Sequence, residues 1–195
     1  MITPTIAKAA FVLLAVGWYV IRIPHVRRSR RTPIARSSRG PREITLLLIS
    51  LTGLGIIPLL YIATGIPQFA TYPFRPTQAF IGIVVALAAL AMFHLTHRAL
   101  GRNWSVTLEV RKNHTLVTDG VYRYVRHPMY TAFWLWAVAQ ALLLPNVVAG
   151  LSGLVGFGTL YVFRVVEEER LMIEAFGEVY RGYMARTTRL IPWIF

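Results

Sequence analysis

The chain is predicted to be an all-α polytopic membrane protein with five transmembrane helices, the last two forming a C-terminal helical hairpin. Three observations predict this. Only 15% of the residues are charged and the mean hydropathy is +0.53, whereas a soluble domain carries about 25% charge. Apolar runs recur at the length of about 20 residues that a membrane span requires. The basic residues, finally, fall in blocks that alternate with those runs.

The first run is Ile6 to Ile23, with Lys8 and Arg22 near its ends. The second is Ile44 to Thr64, interrupted by Gly53, Gly55 and Pro58, and the third is Thr77 to Leu95. From His127 to Phe163 there are 37 residues without a single Asp, Glu, Lys or Arg. That is too long for one span and suits two short ones. The stretch "LLLPN", Leu142 to Asn146, divides it with a Pro-Asn turn signal. "GIPQFATYPFRP", Gly65 to Pro76, reads as an external loop rich in proline and interfacial aromatics. His94 to Tyr130 reads as a folded cytoplasmic loop in which Thr-Leu-Val and Val-Thr pieces have strand preference. Arg164 to Thr187 reads as a helix that leaves the membrane and becomes amphipathic, with Leu171, Phe176, Val179, Tyr180 and Tyr183 on one face. "LIPWIF" ends the chain with an interfacial Trp. The whole is one integral membrane domain, 1–195. Residues 1–96 hold three spans and a basic loop, and 97–195 hold the polar loop, the hairpin and the amphipathic helix.

Charge supports this count. Eight arginines lie between Arg22 and Arg42, six basic residues between Arg98 and Arg126, and five from Arg164 onward. Five spans put all three blocks on one side, which the positive-inside rule makes cytoplasmic, with the N-terminus outside. The net charge of +13 is then topological, and the Arg27 to Arg42 segment faces anionic headgroups rather than nucleic acid. Residues 6–23 lack the flanks of a cleaved signal peptide. The absence of cysteine excludes disulfides and thiol nucleophiles.

Two clusters carry chemistry. Arg164 and Glu168 share a helix face at i, i+4, with Glu167 beside them, at the inner edge of the last span. Ionisable residues there are candidates for function, although a surface ion pair is the plain alternative. Arg126, His127 and Tyr130 precede and open the hairpin, with Pro128 suited to a first helical position. The hairpin topology brings both clusters to one membrane surface. "GLSGLVGFG", Gly150 to Gly158, lies inside an apolar span and reads as close helix packing, not as a nucleotide loop. His94, His97, His114 and His127 lack a metal-ligand pattern, so no metal is expected. Ser105 and Asp119 have no triad context.

"HTLVTDGVYRYVRHPMY" followed by "FRVVEEERLMIEAFGEVYRGYMARTTRLIP" resembles the isoprenylcysteine carboxyl methyltransferase family. The likeness covers about His94 to Pro192: an Arg-His-Pro-x-Tyr motif, a helical hairpin, then an arginine followed by paired glutamates. It implies a cytoplasmic cofactor pocket for S-adenosylmethionine, with S-adenosylhomocysteine as product. By position, the cofactor-binding residues implied are Glu109, His114, Thr115, Leu116, Val117, Tyr122, His127, Pro128, Met129, Tyr130 and Glu168. Arg164 is implied to hold the substrate, and Arg164 and Glu168 are the implied catalytic pair. Where many members have glycine two residues after the motif tyrosine, this chain has Ala132. The short five-span form resembles prokaryotic members, which places the protein in a prokaryotic cell membrane.

What the resemblance implies suits the residues. A carboxylate acceptor is already an anion and needs no general base, which leaves positioning and desolvation to the protein. Arg164 offers a carboxylate a bidentate fork, and Glu168 suits a cationic donor. The expected activity is methylation of the carboxylate of a prenylated cysteine or a similar lipophilic acceptor at the membrane–cytoplasm boundary. The rivals are an amine-headgroup lipid or small thiol as acceptor, an NADPH-dependent membrane reductase, and a non-catalytic scaffold. An arginine beside the acceptor disfavours a cationic amine, and five spans argue against the reductase.

Overall fold

The computed structural model describes residues 2–29, 34–37, 40–101, 109–111 and 116–194. Seven α-helices run through them: α1 (Pro4–Ser29), α2 (Pro41–Leu51), α3 (Ile57–Thr64), α4 (Pro76–Leu100), α5 (Pro128–Leu143), α6 (Val147–Phe176) and α7 (Glu178–Met184). Proline opens α1, α2, α4 and α5. It suits that position because its missing N–H has no partner in the first turn and its φ is already helical. A π-helical turn over Thr52–Ile56 joins α2 to α3, so Pro41–Thr64 is one continuous stretch despite Gly53, Gly55 and Pro58.

Among the described residues, four stretches are long and apolar enough to cross a membrane: Pro4–Arg27, Pro41–Thr64, Pro76–Leu100 and Val147–Phe176. The first arm of the hairpin, α5, is present where expected but has 16 residues. At 1.5 Å per residue that is about 24 Å, short of the roughly 30 Å hydrocarbon layer.

The bundle closes through small residues. On α4, Gly82, Ala86 and Ala89 are buried, and a Cβ on Gly82 would sit 3.0 Å from Leu143 of α5. Such close approach is the usual source of helix cohesion in lipid. The tightest crossing joins the π-helical turn to α6. A Cβ on Gly53 would lie 2.2 Å from the Ser152 carbonyl oxygen, and one on Gly156 would lie 2.8 Å from that of Ile49. The glycines of "GLSGLVGFG" are therefore packing residues. Gly53→Ala is expected to cost about 1–3 kcal/mol by overpacking, read as a lower melting temperature of the detergent-solubilised protein. An unchanged melting temperature would mean that the crossing has slack.

The same crossing holds a polar clasp. Gln140, fully buried on α5, shares its two Nε2 hydrogens among the Gly53 carbonyl at 3.0 Å, the Ala149 carbonyl at 2.6 Å and Ser152 Oγ at 3.0 Å. Ser152 Oγ in turn donates to the Gly53 carbonyl at 2.8 Å. The π-helical turn supplies the acceptor: the Ile57 N–H goes to the Thr52 carbonyl, and Pro58, next in register for the Gly53 carbonyl, has no N–H to give.

The hairpin tip is fixed as firmly. Asn146 Oδ1 caps α6 by accepting from the Ala149 N–H at 2.9 Å. Its Nδ2 donates to the Pro67 carbonyl at 2.7 Å and to Thr71 Oγ1 at 3.0 Å. The Gly65 to Pro76 loop thus does more than anchor aromatics at an interface; it holds the turn between α5 and α6.

Beyond the helices lies a two-stranded antiparallel sheet, β1 (Ile34–Ser37) with β2 (Glu109–Arg111). The Arg-rich segment and the loop after α4 therefore meet, which basic composition alone concealed. The Leu116 and Val117 stretch, expected to prefer strand, has no regular structure. The amphipathic helix is also not continuous. Gly177, at φ +54°, ends α6 before α7 starts, a conformation glycine adopts at no steric cost. The break turns Tyr180 and Tyr183 inward and leaves Val179 exposed, so Val179 does not share their face.

Candidate functional site

One face of α6 repeats every four residues. Ala149, Gly153, Phe157, Tyr161, Val165 and Glu169 are all buried. The stripe is apolar or aromatic until its last member, and a carboxylate there must bring partners with it. Three converge on Glu169. Arg126 Nε donates to Oε1 at 3.0 Å, Arg189 Nη2 donates to Oε2 at 2.7 Å, and His127 Nε2 lies 3.3 Å from Oε1. An ionised carboxylate only accepts, so in this contact the hydrogen is on Nε2, and a neutral His127 keeps Nδ1 as an acceptor.

The backbone explains how these residues meet. The His127 N–H donates to the Arg189 carbonyl at 3.0 Å, and the Arg126 N–H to that of Thr188 at 2.8 Å. Thr131 Oγ1 donates to the Leu190 carbonyl at 2.8 Å. Arg126 Nη1 donates to the carbonyls of Met184 and Thr187. The segment 187–190 thus runs beside 125–127 and is bound by backbone and guanidinium alike. Tyr183 tightens the same corner. Burial pushes its phenol up to about 12, so it stays protonated and donates to the Tyr122 carbonyl at 2.6 Å.

One residue earlier on α6 the chemistry changes. Glu168, half-buried, accepts from Tyr130 Oη at 2.5 Å. The Tyr130 ring stacks on His127 with centroids 5.3 Å apart and meets Tyr161 edge-on at 5.5 Å. Tyr122, in the helical turn Gly120–Arg123, is buried. Burial holds its phenol far above the usual range, and the Glu168 charge adds to that effect. Arg164, one turn before Glu168, pairs with Glu43 of α2, Nη2 to Oε1 at 3.5 Å. Glu167 points outward and pairs with Arg170 at 2.7 Å.

The structure therefore brings Tyr122, His127, Tyr130, Arg164 and Glu168 into one cluster, with Pro128 and Met129 beside them on the first turn of α5. The shared face of Arg164 and Glu168 holds, but their contacts go to Glu43 and Tyr130. Leu116 and Val117 are half-buried on the chain entering the Tyr122 turn. Glu109 is placed by its backbone alone, opposite Ser37 in the small sheet. His114 and Thr115 lie outside the described residues. Among the described residues no three acidic or histidine side chains are set to hold a metal ion. Sequence reasoning did not single out Glu169, Arg189 and Glu43. The four-residue stripe ending in Glu169 was a usable signal; Arg189 and Glu43 belong to segments whose approach only the fold reveals.

Fold and site together define a polytopic helical membrane protein whose C-terminal hairpin bears a half-buried cluster of carboxylates, guanidiniums and imidazole at its mouth. Residues 80–174 match the family model of the isoprenylcysteine carboxyl methyltransferase (ICMT) family. The protein-S-isoprenylcysteine O-methyltransferase of Schizosaccharomyces pombe is 39% identical over 83 residues, 43% of this chain and 35% of that protein. The Homo sapiens protein of the same name is 34% identical over 96 residues, 48% of this chain and 34% of that protein. The match thus spans about a third of the length of these curated relatives. A solved structure of the eukaryotic intramembrane Ras methyltransferase ICMT shares the fold, with a TM-score of 0.52 at 22% identity over 80% of this chain and 54% of that one.

Proposed function

We propose that the protein methylates the carboxylate of a prenylated cysteine or a similar lipophilic acceptor, with S-adenosylmethionine as donor. The observation that carries this reading is the cluster of His127, Tyr130, Glu168 and Arg164 at the hairpin mouth, inside the matched residues 80–174. The donor, when bound, supplies an activated methyl group on a sulfonium centre. Its charge suits the residues present: Glu168 is a half-buried carboxylate held by one phenol, with the stacked rings of His127 and Tyr130 beside it. Carboxylates and aromatic faces are the groups that receive cations in a partly dry site. Tyr122, Leu116, Val117, Pro128 and Met129 would complete that wall, with Glu109, His114 and Thr115 as further contacts.

The residues divide the work. Glu168 neutralises the donor, and Tyr130 orients Glu168. His127, fixed through Nε2 by Glu169, keeps the first turn of α5 in register with the end of α6. Arg164 orients the acceptor carboxylate as a planar fork. No residue need remove a proton, since the acceptor is ionised at neutral pH.

We also read α5 as the fifth crossing. Its shortness sets the cluster into the bilayer edge, where a lipid-borne acceptor and a water-borne donor meet. Positive-inside orientation puts this mouth on the cytoplasmic side and the N-terminus outside, in a prokaryotic cell membrane. Calorimetric titration of the detergent-purified protein tests the reading. Micromolar binding of S-adenosylmethionine and its demethylated product is expected, with none of NADPH. The reverse pattern would transfer the site to a reductase.

A further inference from the structure

We propose that Glu43 sets acceptor selectivity: it holds the Arg164 guanidinium in the resting protein, and an acceptor carboxylate must take its place. This rests on the methyltransferase reading above. Glu43 lies in the first turn of α2, outside the matched residues 80–174, and is only 6% exposed. Its Oε1 is 3.5 Å from Arg164 Nη2, and the two side chains are 7% and 11% exposed. The three glutamates that follow Arg164 on α6 are engaged elsewhere: Glu167 with Arg170, Glu168 with Tyr130, and Glu169 with Arg126, His127 and Arg189. A counter-charge thus comes to Arg164 from another helix, outside the residues that the family model covers.

The chemistry follows from that pairing. A buried guanidinium needs an anion, and removing one partner of such a pair strands the other. Two carboxylates beside one partly buried guanidinium repel each other. An anionic acceptor must therefore displace Glu43, whereas a neutral molecule gains nothing by doing so. Displacement is affordable because Glu43 sits at a helix N-terminus, where the macrodipole favours a negative charge. Arg164 lies one turn before Glu168 on α6, and Glu168 accepts from Tyr130, so the exchange takes place beside the donor carboxylate Glu168. The alternative is that Glu43 only docks α2 on α6.

Steady-state kinetics with an N-acetylated farnesylcysteine, alongside calorimetric titration with S-adenosylmethionine, separates the two. With Glu43→Gln, KM for the acceptor is expected to fall about fivefold, the scale of one partly screened charge pair, while donor affinity stays at the wild-type value. Glu43→Asp retracts the charge by one methylene and should lower KM by a smaller factor; it decides the matter if the glutamine variant does not fold. An unchanged or raised KM, with donor binding intact, overturns the proposal. Loss of donor binding and turnover together in both variants does so too, because that is the mark of a docking role. Wild-type protein that binds no S-adenosylmethionine is a different failure: it sinks the methyltransferase reading and takes this proposal with it.

Discussion

Glu169→Gln should abolish measurable binding of S-adenosylmethionine and lower stability by about 3–5 kcal/mol, the cost of breaking a buried ion pair from one side. Two guanidiniums and an imidazole share this carboxylate. An amide in its place would present an N–H to at least one of them and would leave Arg126, whose side chain is 9% exposed, without its anion. Two consequences should appear together. The melting temperature in detergent should drop, and amide exchange at 187–190 should quicken, because that segment is tied to 125–127 through the same corner. The donor should fail to bind although Glu169 need not touch it: the first turn of α5 loses its reference to α6. Full donor affinity in this variant would mean that His127 is held by other means.

Arg164→Ala and Glu168→Gln should divide the reaction between them. Glu168→Gln is expected to weaken donor binding by about tenfold or more, since hydrogen bonds involving a charged group contribute about 1.5–3 kcal/mol. Arg164→Ala should leave donor affinity within about threefold of wild type and lower turnover about a hundredfold, the scale on which misplacing one reactant acts. Calorimetry gives the first number and single-turnover methyl transfer the second. Equal loss of donor binding in both variants would refute the assignment of Arg164 to the acceptor side. Arg164→Ala also removes the Arg164–Glu43 pair, so its stability should be checked against Arg164→Lys, which keeps the charge and loses the fork.

The helices were legible for reasons that physics makes strong. Apolar runs, a proline at four helix starts and a Pro-Asn turn at the hairpin tip each encode a local preference. Their positions in the structure agree with the sequence within a few residues. The length of α5 was less legible, because the uncharged stretch from His127 to Phe163 does not show how the chain divides around its turn. The cluster at the hairpin mouth was legible where a motif concentrates it, at His127, Tyr130, Arg164 and Glu168. It was hidden where partners come from afar. Glu43 reaches Arg164 across 121 positions of sequence, and Arg189 reaches Glu169 only because Gly177 breaks the helix between them. Adjacent glutamates misled for a simpler reason. Residues 167, 168 and 169 differ by about 100° each around a helix, so three identical letters face solvent, site and core in turn.

The clasp of Gln140, Gly53 and Ser152 has a consequence for how the chain finds its arrangement. Lipid offers no penalty against one apolar surface sliding along another, since leucine against leucine and leucine against an acyl chain are nearly equivalent. A bundle built only of such surfaces has many near-degenerate alignments. One amide whose donors meet two carbonyls and a hydroxyl has very few, and a shift of either helix by one residue strands it. The clasp therefore acts as a detent: it selects one depth for α5 among many that grease alone would permit. His127 is thirteen residues along that same rod, so the position of the hairpin mouth relative to the rest of the bundle is set from within its core.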